Sequence, residues 1–161
     1  MKLPSKTLFV VVLIVVAAVL SVLGWMMYTL ATLQSDRDVA TGVNISTDWI
    51  EITPQPPLKA TKQVHHLIIT VDGYKRSVGD TRNELPLPDG TLANPEVELV
   101  DESGETYRLR PSLLTSSGVG YIADDATHSP LPANKAFTKI RIRSGKPFRA
   151  AKIIWQNVNL M

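Results

Sequence analysis

The side chains able to do chemistry are few in kind. The chain contains no cysteine, which removes thiolate nucleophiles, disulfides and zinc–thiolate sites together. Of its three histidines, His65 and His66 are adjacent. Neighbours in a strand point to opposite faces, so this pair does not converge on one metal ion. Asp124, Asp125 and His128 form a polar loop, yet calcium takes about six to eight oxygens and two consecutive carboxylates are only a beginning. Ser116 and Ser117 precede Gly118-Val119-Gly120, which is not the Gly-x-Ser-x-Gly of a nucleophile elbow. With 15 acidic residues, a facing carboxylate pair of the glycosidase kind cannot be singled out. The expectation is a chain with no catalytic site, no metal and no cofactor.

The most suggestive residues are basic. Lys139, Arg141, Arg143, Lys146, Arg149 and Lys152 follow one another with no acid after Asp125. In a strand Lys139, Arg141 and Arg143 share one face, and Arg108 and Arg110 add two cations on another strand. One reading is a solvated strand face that guards an edge. The other is an anion-accepting face, suited to an acidic glycan, lipid headgroups or an acidic partner. Trp49, Trp155, Tyr121 and Tyr74 offer rings for a sugar, although tryptophan at strand positions more often fills the core. The candidate ligand contacts are therefore Lys139, Arg141, Arg143, Arg108, Arg110, Trp49, Trp155 and Tyr121. Aromatic residues do not interleave with the basic ones as on a nucleic-acid surface, so no nucleic-acid partner is expected.

What must carry these residues starts with a membrane segment. Leu8 to Leu30 contains no charge and no proline. As a helix it spans roughly 35 Å, against a bilayer core of about 30 Å, and a helix crosses alone because its backbone pairs internally. Lys2 and Lys6 precede the run; Arg37 follows it, between Asp36 and Asp38. That bias places the N-terminus in the cytoplasm and the remainder outside, with Trp25 and Tyr28 at the far headgroup layer. The rival reading is a cleaved signal peptide ending near Ala31; the run exceeds the usual apolar core of about 7–15 residues. Both readings export the rest. Removing Lys2 and Lys6 from the 17 basic residues leaves 15, equal to the 15 acidic ones, so the exported part is neutral overall.

Beyond the anchor the pattern is β. Residues 34–47 read as a juxtamembrane stalk, with Val39, Val43 and Ile45 able to start a strand, and 48–161 as one domain. Ile50 and Ile52 alternate before the prolines Pro54, Pro56 and Pro57 end that strand. Lys62 to Val71 is β-branched, with Leu67, Ile69 and Val71 on one face and Ile68 buried on the other. Lys75 to Gly90 reads as a long loop with room for a short edge strand. Val97 to Val100 and Thr106 to Arg110 form a hairpin in which Val97 and Leu99 face Tyr107 and Leu109, and Glu98 meets Arg108 or Arg110 across the pair. Ser116 to Gly120 reads as a flexible loop before a short strand at Tyr121. Phe137 to Arg143 alternates strictly, Ser144 to Pro147 turns, and Lys152 to Val158 returns. About seven short strands of this spacing predict an all-β, antiparallel β-sandwich behind a single N-terminal transmembrane helix.

The run Phe137 to Val158, with its Lys-Ile-Arg-Ile-Arg strand, Gly/Pro turn and Ile-Ile-Trp strand, resembles the end of galactose-binding-like jelly-rolls, the fold of discoidin and many carbohydrate-binding domains. The resemblance implies a jelly-roll and, in many members, glycan or lipid binding through loops at one end. The functional expectation is a membrane-anchored, non-catalytic recognition module or accessory subunit of the cell envelope. Its partners would be the bilayer through residues 8–30 and another membrane protein or an envelope glycan. An anchored carbohydrate-binding domain is the alternative, and an envelope enzyme with an unseen site the third reading.

Overall fold

The computed structural model describes residues 5–61, 64–74, 84–115, 117–123, 131–133 and 135–158. They form two units, Met1–Ser35 and Asp36–Met161. The first holds helix α1, Ser5–Leu33. Its side chains are described from Leu13 to Met27, and every one of these is exposed, Leu20 at 63% and Met27 at 69%. Among the described residues no helix is long and apolar enough to cross a membrane.

The second unit is antiparallel β. Its strands are β1 (Gln34–Ile45), β2 (Ile50–Ile52), β3 (Leu58–Lys59), β4 (Val64–Thr70), β5 (Leu85–Pro86), β6 (Leu92–Ala93), β7 (Pro95–Asp101), β8 (Thr106–Leu114), β9 (Gly118–Ala123), β10 (Ala136–Ser144) and β11 (Phe148–Val158). One sheet runs β1-β11-β4-β9-β8-β7-β10-β2, with β3 also paired to β10, and β5-β6 is a separate hairpin. The sheet nearly closes. β1 lies at one end of that order, yet the chain leaves it, accepts a hydrogen bond at the Ser46 carbonyl from the Ser144 N–H of β10 at 2.9 Å, and enters β2 at the other end. Rings from separated strands meet across the interior: Phe137 of β10 lies 6.5 Å from Trp155 of β11, and the Trp155 indole N–H donates to the Lys59 carbonyl of β3 at 3.3 Å.

Period-two alternation dictates which side chains enter that interior. Ile140 and Ile142 are fully buried between Lys139, Arg141 and Arg143. Leu67, Ile69 and Val71 line the core, and Ile68 is buried on the opposite face as expected. The hairpin β7-β8 has the expected register, Val97 opposite Leu109, Leu99 opposite Tyr107 and Glu98 opposite Arg108.

Three expectations change. Most of the stretch read as a stalk is strand β1, with Ile45 1% exposed in the core. Its alternation is diluted by Asp36, Arg37 and Asp38, as suits the end of a sheet. The loop expected from Ser116 to Gly120 is strand from Gly118. A Cβ at Gly118 would lie 2.0 Å from the Ile69 carbonyl oxygen, so glycine here permits close backbone approach between β9 and β4 rather than flexibility. The long loop before Gly90 ends in hairpin β5-β6, closed by the turn Leu87–Thr91; residues 75–83 lie outside those described.

Candidate functional site

The basic row is brought together as its alternation requires, but not as a bare cationic face. Lys139, Arg141 and Arg143 of β10 and Arg108 of β8 each meet a carboxylate from a neighbouring strand. Register sets Arg141 opposite Glu51 of β2 and Glu98 of β7, and Arg143 opposite Glu96. Arg141 donates to Glu98 at 3.0 Å and lies 3.8 Å from Glu51. Lys139 donates to Glu51 at 3.0 Å, Arg143 to Glu96 at 2.9 Å, and Arg108 approaches Glu96 at 3.4 Å. The Arg143 guanidinium, bonded to Glu96, holds that carboxyl below its ordinary value, and Glu96 in turn raises Arg143. Four cations thus share three carboxylates. Trp49 covers part of this ladder: the Arg141 and Arg143 guanidiniums lie 4.7 and 4.6 Å from its ring centroid, within cation–π range. Arg110 lies two residues along β8 from Arg108, at the register of Ile122.

Two of the expected ring contacts are core residues. Trp155 is 3% exposed and stacks on His65 at 5.7 Å. Tyr121 is 1% exposed, and burial pushes its phenol up. Neither presents a face to a ligand, because both alternate inward with Ile153 and Val119. Tyr74 also packs against the core. His65 and His66 do point apart: His65 is buried beside Trp155, while His66 is half-buried and pushed down by desolvation. Asp124, Asp125 and His128 fall outside the described residues, and among those described no cluster of metal-ligating groups forms.

A second polar cluster locks the hairpin turn. Asp101 is buried, and its Oδ1 accepts hydrogen bonds from the Ser103 N–H at 2.9 Å, the Ser103 hydroxyl at 2.6 Å and the Glu105 N–H at 2.9 Å. Lys135 sits 2.8 Å from Asp101 Oδ2, and 2.6 Å from the Tyr107 hydroxyl. Lys135, with the Ser103 bonds, holds the Asp101 carboxyl far below the carboxylate range, and Lys135 itself is pushed up by the same contacts. Each group is bonded to another of the cluster, so it reads as a structural clasp.

The concave feature was not legible in any one segment. At one end of the sheet, three turns meet around a groove of about 350 Å³: the one after β4, the one between β5 and β6, and the one between β10 and β11. Leu87, Pro88, Pro147 and Phe148 supply apolar walls. Asp89 and Lys146 pair across it at 3.0 Å, and Asp89 also accepts from the Thr91 hydroxyl at 2.5 Å. Thr91 first, then Lys146, holds the Asp89 carboxyl down at about 2. Asp72 and Arg149 line the same groove, are exposed, and have no ion-pair partner among the described residues. Arg149 reaches over β1 where Gly42 has no side chain; a Cβ there would lie 3.0 Å from its guanidinium.

No family model matches the chain, and neither a curated protein nor a solved structure matches it.

Proposed function

We propose that this protein is a membrane-anchored, non-catalytic recognition module whose β domain works outside the cytoplasm as an accessory subunit of an envelope assembly. The observation that carries the reading is α1. From Leu13 to Met27 its side chains are exposed on every side of the helix and none is charged. A helix apolar all round suits lipid rather than water, and the apolar sequence continues from Leu8 to Leu30 on either side of that stretch. The charge bias of Lys2 and Lys6 supports a cytoplasmic N-terminus. Within the antiparallel class, the jelly-roll-like sandwich is our reading of the β domain. Its support is the passage of one chain from β1 to β2 across the two ends of the sheet, and the Phe137–Val158 hairpin of the galactose-binding-like type. The charge-balanced ladder and a groove at one end support binding as the mode of action.

The test is the full-length chain with a C-terminal tag, isolated from the membranes of the organism that carries it. The expected result is retention in the membrane pellet under alkaline carbonate, an intact N-terminus, and a membrane protein co-purifying in stoichiometric amount in mild detergent. Release by carbonate overturns the anchor. A chain shortened to about residue 31 makes the helix a signal peptide. A lone anchored chain moves the role from subunit to ligand binding.

A further inference from the structure

Resting on that recognition reading, we propose that the end groove is the docking site for an extended peptide segment of a partner protein. An apolar side chain of that segment would seat against Leu87 and Phe148, and flanking side chains of opposite charge would meet Asp72 and Arg149. Size comes first. About 350 Å³ is at the small end of the range for ligand sites, about 300–1,000 Å³, and has room for an anchoring side chain. Chemistry comes second. The walls are apolar, as an anchor requires, and the two exposed charges are of opposite sign and are not joined to each other by an ion pair.

Arg149 stands apart from the other cations of β10 and β11. Arg141, Arg143 and Lys152 are each held by a carboxylate at 3.0, 2.9 and 2.8 Å, whereas Arg149 has none among the described residues. A free guanidinium beside an apolar wall recognises a carboxylate, and the free Asp72 carboxylate recognises a lysine or arginine. A glycan is the poorer occupant. The aromatic ring lining the groove, Phe148, is half-buried and packed against the core, while sugar rings favour an open aromatic face.

The experiment uses the full chain in mild detergent and fluorescence anisotropy against a set of short capped peptides. Each peptide carries one Leu or Phe, with one Lys and one Asp placed within three residues of it in every order and spacing. Expected is saturable binding by a subset, abolished when the Leu or Phe becomes Ser. Arg149→Glu should weaken those peptides about tenfold, and exchanging the peptide Asp for Lys should restore them; Asp72→Lys should behave in mirror image. Both positions are exposed, and far-UV circular dichroism confirms the fold of each variant. Binding equal in wild type and Arg149→Glu overturns the proposal, as does a set in which no peptide exceeds its Ser control. Saturable binding of neutral oligosaccharides indifferent to both charge changes also overturns it and assigns the groove to glycan. A native partner that co-purifies equally with Arg149→Glu overturns the groove alone and leaves the recognition role standing.

Discussion

The two ordered tryptophans of the β domain offer a sharp test of which rings hold the fold and which lie on it. Trp155→Ala removes a side chain that is 3% exposed, stacked on His65, tilted against Phe137, and hydrogen-bonded to the Lys59 carbonyl. Truncating a buried tryptophan costs about 3–5 kcal/mol, part of it from the cavity left behind. Against a total stability of about 5–15 kcal/mol, that is about a fifth of the fold or more. For a domain of this length it lowers the thermal midpoint by about 10–20 °C. Trp49→Ala removes a half-buried ring whose described contacts are two guanidiniums, at 4.7 and 4.6 Å. Cation–π pairs at accessible sites contribute about 0.5–1 kcal/mol each, so the loss is about 1–2 kcal/mol. Urea unfolding of the full chain in detergent micelles, followed by far-UV circular dichroism, reads both. Losses of equal size in the two variants, or an unshifted midpoint for Trp155→Ala, would refute the assignment of Trp155 to the core and Trp49 to the surface.

Gly118→Ala places a Cβ 2.0 Å from a backbone oxygen of β4, where no flexible side chain can yield. The expected result is a loss of about 3 kcal/mol or more, and amide exchange of β4 and β9 should quicken first; an unchanged midpoint would sink the close-approach reading. Acid should unfold the domain through its clasped carboxylates. Asp101, Glu105 and Glu96 are all held below their ordinary values of 3.8, 4.5 and 4.5. The unfolded chain therefore takes up protons first as pH falls. Stability is full above about pH 5 and declines as pH drops through the unfolded and then the folded values. Asp101→Asn should lower the urea midpoint at pH 7; the gap between wild type and variant should begin to narrow below about pH 4 and go on narrowing as pH falls well below the ordinary carboxylate range, and a gap constant with pH would argue that Asp101 acts through shape alone.

Much of the architecture was legible because its signals are local. Strict alternation from Phe137 to Arg143 determined that Ile140 and Ile142 point in and the cations out, and the turn at Ser144 to Pro147 determined the hairpin break. The β-branched run ending at Thr70 marked a strand buried on both faces. Misreadings arose where local composition and tertiary role diverge. Glycine at Gly118 signals flexibility in a sequence, whereas here it admits a neighbouring backbone. Charges at Asp36, Arg37 and Asp38 signal a tether, whereas here they begin a strand at the end of the sheet.

The sequence by itself determined the helix, the strand faces and the absence of thiol chemistry, since each follows from residue type and short-range period. Tertiary structure alone decided what the cations do. Arg141 meets Glu98 from 43 positions away, and Lys139 meets Glu51 from 88. Nothing in the run from Lys139 to Arg143 announces those partners, because register between distant strands is fixed by core packing and not by the charges it aligns. The same holds for the groove. Asp72, Leu87 and Arg149 each belong to an ordinary turn or strand end, and only the pairing of β4 with β11 and the placement of the β5-β6 hairpin bring the three to one place.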